Sequence, residues 1–163
     1  MQHINDYSYM AFERPALMGT LKGGPAAENA DGTAAVFWLP GALYLQAEFT
    51  GLPPSEVFGF HIHEGYICGE PREDGSFAGT GEHYSNCPED MWCGRHPYHA
   101  GDLPPVFSDA EGKASMQVYL DKASIEEISG RVVILHSMRD DMTSQPAGDS
   151  GKRIVCGVLA EFL

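Results

Sequence analysis

The chain has 163 residues and a formal net charge of -13, with 10 Lys and Arg against 23 Asp and Glu. This length fits one domain, which on folding buries about two thirds of the surface that the unfolded chain exposes. So few basic residues cannot form a broad positive face, which excludes nucleic acid and anionic membranes as expected partners.

The N-terminal region does not have the pattern of an export signal. Residues 1–22 lack a basic start followed by an apolar core, and no later apolar run approaches the length of a membrane span. The chain as written is therefore expected in the cytoplasm, or outside it if a leader has been trimmed. Residues 1–13 are interpreted as an N-terminal extension of a single domain that covers 1–163.

Short apolar segments separated by turns follow this extension, because 19 Gly and 11 Pro punctuate the chain. In segment 43–49, Leu43, Leu45, Ala47 and Phe49 alternate with polar residues or Tyr44, which predicts one buried and one wet face. The pattern predicts an all-β fold. The eight predicted strands are 16–21, 34–39, 43–49, 57–62, 105–108, 114–120, 131–135 and 154–160.

Two long stretches, 65–103 and 137–152, have little strand pattern. Long irregular loops are uncommon in a compact domain and are often functional. The only helical candidate is the short segment "DKASIEEIS", residues 121–129. We therefore expect function to lie in these two loops.

The histidines cluster in and around the same loops. His61 and His63 lie two apart in a predicted strand, so both rings point to one face, and histidine is the commonest ligand of copper and zinc. His96, His99 and Asp102 recur at intervals of three, which suits a tight turn around zinc. The pattern predicts a metal site. Two further histidines lie in the same part of the sequence: His83 and His136.

The cysteines leave the choice between disulfides and a metal site open. Their even number allows two disulfides, and it equally allows reduced thiols or thiolate ligands. The four cysteines are Cys68, Cys87, Cys93 and Cys156.

Four motifs in order, "GFHIHEGYIC", "HAGDLPPVFSDAEGKA", "GRVVILH" and "GKRIVCGVL", resemble the copper,zinc superoxide dismutases of bacterial type. The resemblance implies an eight-stranded antiparallel Greek-key β-barrel with an immunoglobulin-like sandwich architecture and two long functional loops. It implies conversion of the small anion superoxide to oxygen and hydrogen peroxide, with copper and zinc as cofactors. The implied copper ligands are His61, His63, His83 and His136, and the implied zinc ligands are His83, His96, His99 and Asp102.

The resemblance also implies roles for residues that hold no metal. Arg153 would guide superoxide and, with His83, take part in catalysis, because His83 would bridge the two metals and carry a proton. Asp140 would link histidines of the two sites, as residues behind metal ligands commonly do. Cys68 and Cys156 would form the family's disulfide. The family forms monomers and different dimers, so a homodimer stays open.

The zinc region departs from the family pattern, because His96 precedes His99 by only three residues and "CPEDMWC" intrudes before it. Either His96 still reaches zinc, which we favour, or Cys87 or Cys93 supplies a thiolate. The two cysteines would otherwise form a local disulfide or remain free thiols. Three other functions stay open: a copper-only dismutase, a noncatalytic metal-binding protein and a structural or adhesive β-sandwich.

Overall fold

An antiparallel β-sheet curled into a barrel dominates the computed structural model, which describes residues 14–162. The main sheet has the order β5-β8-β9-β1-β2-β3-β7, with β10 beside β1, and β4 pairs separately with β6. The strands are β1 (Leu17–Gly23), β2 (Asp31–Leu39), β3 (Ala42–Thr50), β4 (Val57–Phe58), β5 (Phe60–Ile62), β6 (Val106–Phe107), β7 (Ala114–Leu120), β8 (Val132–His136), β9 (Arg153–Val158) and β10 (Ala160–Glu161).

All eight predicted segments contain strand, and two of them are divided. The segment 57–62 breaks at Gly59 because β4 pairs with β6 whereas β5 pairs with β8. A side chain at Gly59 would lie 2.8 Å from the hydroxyl of Ser150, so the crossing point has room only for glycine. The segment 154–160 breaks at Leu159, whose N–H turns to the carbonyl of Arg131 (2.8 Å). The predicted all-β class and Greek-key barrel are confirmed.

The interior of the barrel holds the main hydrophobic core. The alternation predicted for β3 is present, since Leu43, Leu45, Ala47 and Phe49 are all buried in this core. The prediction of a wet outer face is wrong for Tyr44, which is only 4% exposed. Its ring lies among the rings of neighbouring strands, 5.6 Å from Tyr119 and 6.4 Å from Phe37 by centroid distance.

The outer face of β5, β8 and β9 is also buried, because the long loops cover it. Phe60 and Ile62 of β5 point into the main core, whereas His61 points to the opposite face. On that face Ile134 and Cys156 form a second apolar cluster, which includes the loop residue Phe77. The sheet therefore has a dry outer surface on which buried side chains can be held.

The short predicted helix is present as α1 (Ile125–Ile128), and a 3-10 turn lies at Trp92–Gly94. The Ser124 side chain caps the Glu127 N–H, and the Glu127 carboxylate accepts from the Ser124 N–H, which forms a capping box. Across residues 14–162, no helix has the length and apolar character that crossing a bilayer requires.

Candidate metal centre

The end of β5 supplies the first two histidines. His61 lies within the strand and His63 directly follows it, and both are completely buried. His136 ends the neighbouring β8, on the same face as Ile134. Strand alternation thus places three imidazole rings together on the loop-covered face of the sheet.

The first long loop returns to the free edge of β5 and adds two more segments to it. The backbone of His63 forms an isolated antiparallel β-bridge with that of His83, and the backbone of His61 forms another with that of Asp102. The carbonyl of Gly101 accepts from the Ile62 N–H (2.9 Å), an approach that leaves no room for a side chain at Gly101. This backbone pairing carries His83 and Asp102 to the histidines of the sheet.

Two groups of metal-binding side chains result, and they share one residue. In each group the ligand atoms lie within 4.8 Å of one another. The first group is His61, His63, His83 and His136, and the second is His83, His96, His99 and Asp102. The structure thus brings together every residue that the resemblance implies as a metal ligand.

Hydrogen bonds fix which ring nitrogen of each histidine faces the centre of its group. His63 donates from Nδ1 to the Gly81 carbonyl (3.0 Å), and His99 donates from Nε2 to the Gly94 carbonyl (3.2 Å). A carbonyl oxygen only accepts, so the other nitrogen of each ring keeps its lone pair. His136 is held in the same way, from Nδ1 to the Gly151 carbonyl (3.4 Å).

The nitrogens that face inward have the properties of metal ligands. His63 Nε2 and His136 Nε2 lie 3.3 Å apart, an approach of lone pairs that a shared cation would stabilise. Among the described residues, four buried histidine nitrogens lack a hydrogen-bond partner: His61 Nδ1, His83 Nε2, His96 Nδ1 and His99 Nδ1. Buried polar atoms are rarely left unpaired. Four nitrogens suit copper, and three nitrogens with a carboxylate suit zinc.

His83 differs from the other histidines because it belongs to both groups. Its Nδ1 lies 2.7 Å from Asp102 Oδ1, in the second group. Its Nε2 is buried without a partner, and its ring stacks on that of His61 at a centroid distance of 3.8 Å. One ring therefore serves both groups.

Burial lowers the pKa of three ligand rings, all of them in the first group. It lowers the pKa of His61 to about 4 against the effect of Asp140, and it holds the pKa of His63 and His136 well below 6.5. Burial works to raise the pKa of Asp102, but its close contacts with the rings of His83, His96 and His99 outweigh this effect and lower that pKa. At neutral pH these three rings of the first group are thus unprotonated and Asp102 is ionised, the forms that bind metals. Burial works to lower the pKa of His96, but the carboxylates of Asp102 and Asp140 outweigh it and raise that pKa.

Asp140 connects the two groups from the second long loop. Its Oδ2 accepts from His61 Nε2 and its Oδ1 accepts from His96 Nε2, each at 2.8 Å. Gly148 passes so close that any side chain there would collide with Asp140 Oδ1. The two bonds leave Nδ1 of each ring as the nitrogen that faces its group.

Arg153, the first residue of β9, lies in a hollow of about 560 Å³ beside the histidine groups. Its guanidinium donates to the hydroxyl of Thr80 (2.7 Å) and lies 3.6 Å from the Glu82 carboxylate. Burial lowers the pKa of Arg153, against the effect of Glu82. Gly81, whose carbonyl holds His63, also lines this hollow.

The sequence interpretation missed a third basic residue in this hollow, Arg72, which lies there with Lys152 and Arg153. Arg72 is distant in sequence from Arg153 but close enough to lower its pKa. The implied Cys68–Cys156 disulfide was the signal that could have found it, because it places the residues after Cys68 beside those before Cys156.

Both pairs of cysteines are bonded in the structure. Cys68 and Cys156 join the first long loop to β9 with their Cα atoms 5.8 Å apart. Cys87 and Cys93 close a small ring within the same loop, with a Cα separation of 5.6 Å. Because their sulfurs are bonded to each other, neither Cys87 nor Cys93 is free to act as a thiolate ligand here.

The antiparallel barrel carries two adjoining groups of metal-binding side chains, and these groups share one histidine ring. These features place the chain in the class of two-metal β-barrel proteins. The family model "Copper/zinc superoxide dismutase (SODC)" matches residues 30–159. The chain belongs to this family.

Individual relatives agree with this assignment. Superoxide dismutase [Cu-Zn] 2 of Aquifex aeolicus is 36% identical over 121 residues, which cover 67% of each chain. The solved Cu/Zn superoxide dismutase of Brucella abortus has a TM-score of 0.70 and 27% identity, covering 87% of this chain and 97% of its own. A double mutant of a SOD-like protein from Bacillus subtilis has a TM-score of 0.73 and 28% identity, covering 89% of this chain and 99% of its own.

Proposed function

We propose that the first histidine group holds the copper and the second holds the zinc of a superoxide dismutase, with His83 as a ligand of both. The position of His83 carries this proposal, because its ring belongs to both groups and its Nε2 is buried without a partner. The family supplies the reaction, in which two superoxide anions and two protons become oxygen and hydrogen peroxide.

Copper, when bound, supplies the one-electron oxidation and reduction of superoxide, and zinc has no redox chemistry of its own. The side chains supply position and protons. Asp140 and the carbonyls of Gly81 and Gly151 set the orientation of the rings. His83 Nε2 is the buried nitrogen placed to take up a proton and release it to the product.

Arg153 is placed to bind and orient the anionic substrate. Its side chain is 22% exposed, so it remains reachable from solvent while Thr80 and Glu82 hold it. A fixed positive charge in a hollow attracts a small anion more strongly than the same charge in open water. This local charge acts against the overall charge of -13, which repels superoxide.

The test measures metal content and turnover on one sample. Purified protein loaded with copper and zinc is expected to hold one of each per chain and to dismutate superoxide. His83→Ala should lose zinc affinity and turnover, whereas Gln117→Ala, on the exposed side of β7, should change neither.

Other outcomes would contradict the proposal in distinguishable ways. Turnover with copper but without zinc would favour a copper-only dismutase. Both metals bound without turnover would favour a noncatalytic metal-binding protein. Unchanged zinc affinity in His83→Ala would remove the shared-ligand role.

A further inference from the structure

The backbone of His96 is held by a side chain from the other long loop. The His96 N–H donates to Gln145 Oε1 (3.1 Å), and Gln145 Nε2 donates to the His96 carbonyl (2.6 Å). A single amide side chain thus satisfies both backbone groups of one residue, as a neighbouring strand would. His96 is only 2% exposed, so unpaired backbone groups there would be costly.

The ring of His96 lies 3.3 Å from Asp102 of its own loop, whereas its backbone bonds to the other loop. His96 lies outside the named strands and only three residues before His99. The other two histidines of its group are held without contacts from 137–152, because His83 forms a β-bridge with His63 at the end of β5 and His99 bonds to Gly94. The position of His96 therefore depends on contacts from 137–152.

The second loop holds His96 at two points. Asp140 accepts from the ring at Nε2 (2.8 Å), and Gln145 pairs with the backbone. Together these contacts determine where the ring lies and in which direction Nδ1 points. The Gly148 N–H donates to the Ser144 carbonyl (2.7 Å), which closes a turn around Gln145.

We propose that Gln145 is a positioning residue for zinc, which sets His96 in place through its two bonds to the His96 backbone. This inference rests on the proposed function, because it takes His96 as a zinc ligand. Gln145 itself lies on the surface, so its replacement leaves the barrel core intact. The hollow that it lines also contains His83 and His99, two residues of the same group.

The decisive variant is Gln145→Met, which keeps the length of the side chain and removes both hydrogen bonds. Zinc affinity, measured by chelator competition on the copper-loaded protein, is expected to fall about 10- to 100-fold, as for other residues that orient ligands. Cobalt substituted for zinc should give an altered visible spectrum, because His96 would coordinate differently. Copper affinity and the copper spectrum should change less than about twofold, since Gln145 contacts only the second group.

Two further variants separate positioning from general loop stability. Gln117→Met makes the same chemical change on β7 and should leave both metals unaffected. Gln145→Glu keeps an acceptor for the His96 N–H but loses the donor, so its zinc affinity should lie between those of Gln145→Met and the unchanged protein.

Three results would overturn the inference. Unchanged zinc affinity and an unchanged cobalt spectrum in Gln145→Met would show that Gln145 does not position His96. Equal losses of copper and zinc would show that the contact only stabilises the loop. If the unchanged protein binds no zinc, the proposed function fails together with this inference, whereas the first two results leave it standing.

Discussion

Asp140 supports both groups at once, because each of its carboxylate oxygens accepts from a histidine of a different group. In Asp140→Asn one oxygen becomes an NH₂ group, which would face a ring N–H donor. The affected histidine must then turn or shift its proton to the nitrogen that faces the metal. We expect the affinity for at least one of the two metals to fall about 10- to 100-fold, as measured by chelator competition.

The matched control for this change is Asp149→Asn, in the same loop. Asp149 is exposed and has a φ of 48°, a conformation that asparagine adopts readily. Its metal affinities should equal those of the unchanged protein. Equal affinities in Asp140→Asn and Asp149→Asn would show that the carboxylate does not orient the ligands.

Arg153 and Arg72 are expected to act on the substrate rather than on the metals. Arg153→Glu should lower kcat/KM by a larger factor than it lowers copper affinity, because it reverses the charge beside the site. Arg72→Ala removes a more distant charge of the same hollow and should lower kcat/KM about two- to fivefold at low salt, with weaker dependence on ionic strength. Stopped-flow assays across a salt series, with copper counted on the same samples, measure both effects.

Lys113→Ala provides the comparison for these charges. Lys113 lines a different hollow, beside β7 and Phe107, so its loss changes the net charge but not the approach to the histidines. A decrease in Lys113→Ala equal to that in Arg72→Ala would attribute the effect to net charge. Equal losses of activity and copper in Arg153→Glu would contradict its role in guiding substrate.

At the scale of elements, α1 holds the first long loop through Glu127. The Glu127 carboxylate accepts from the Ser124 N–H, and also from the Tyr84 hydroxyl (3.0 Å) and the Asn86 amide (3.1 Å). The Tyr84 N–H in turn donates to the Ile62 carbonyl of β5. The helix thus supports the segment that directly follows His83.

The charge of Glu127 gives this support a defined pH dependence. The Ser124 N–H, followed by the Asn86 amide, lowers the pKa of Glu127 below 4.5, so the carboxylate stabilises the folded state fully above that pH. The contribution is lost as the pH falls through the lowered pKa. Glu127→Gln should therefore lower the free energy of unfolding by about 0.5–1 kcal/mol at pH 7, and the difference should shrink in acid.

Urea unfolding of Glu127→Gln and Glu126→Gln at a series of pH values tests this expectation. Glu126 lies in the same helical turn with its side chain exposed, so its replacement should have a smaller effect. If the free energy of unfolding of Glu127→Gln is still lowered by the same amount at the lowest pH, the effect comes from side-chain shape instead of charge.

The elements differ in how well the sequence predicts them. Period-2 alternation predicts β3 and β7 because one face of each strand packs in the core. It does not predict the breaks at Gly59 and Leu159, since these arise where a strand changes partners. Alternation also places Tyr44 in solvent, because it takes no account of side chains on neighbouring strands. The rings of Phe37 and Tyr119 bury Tyr44 on the face that alternation assigns to water.

The site shows the same division between local and distant information. The H-x-H pair and the family motifs predict the histidines that the structure brings together, because strand geometry or motif order fixes them locally. Arg72 and Gln145 could not be found in this way, since each acts across a loop on a residue far away in sequence. Only a known pairing, such as Cys68 with Cys156, carries that kind of information.

At the scale of the whole molecule, the two disulfides close loops of very different size. The separations are 88 residues for Cys68–Cys156 and 6 residues for Cys87–Cys93. The chain-entropy relation gives about 4.6 kcal/mol for the first and about 2.2 kcal/mol for the second. Each disulfide is tested by replacing both of its cysteines with alanine. In equilibrium urea unfolding of the metal-free protein, Cys68→Ala/Cys156→Ala should lower the free energy of unfolding by about 2 kcal/mol more than Cys87→Ala/Cys93→Ala does.

The two double variants should also differ in function, because the bonds join different parts of the site. Cys68–Cys156 holds the loop that carries Arg72 against β9, which carries Arg153, so its loss should lower kcat/KM in the metal-loaded protein. Cys87–Cys93 lies in the loop segment between His83 and His96, so its loss should weaken zinc first. Equal destabilisation by the two variants would contradict the entropic argument, and identical effects on zinc and kcat/KM would contradict the division of the loop into a substrate side and a zinc side.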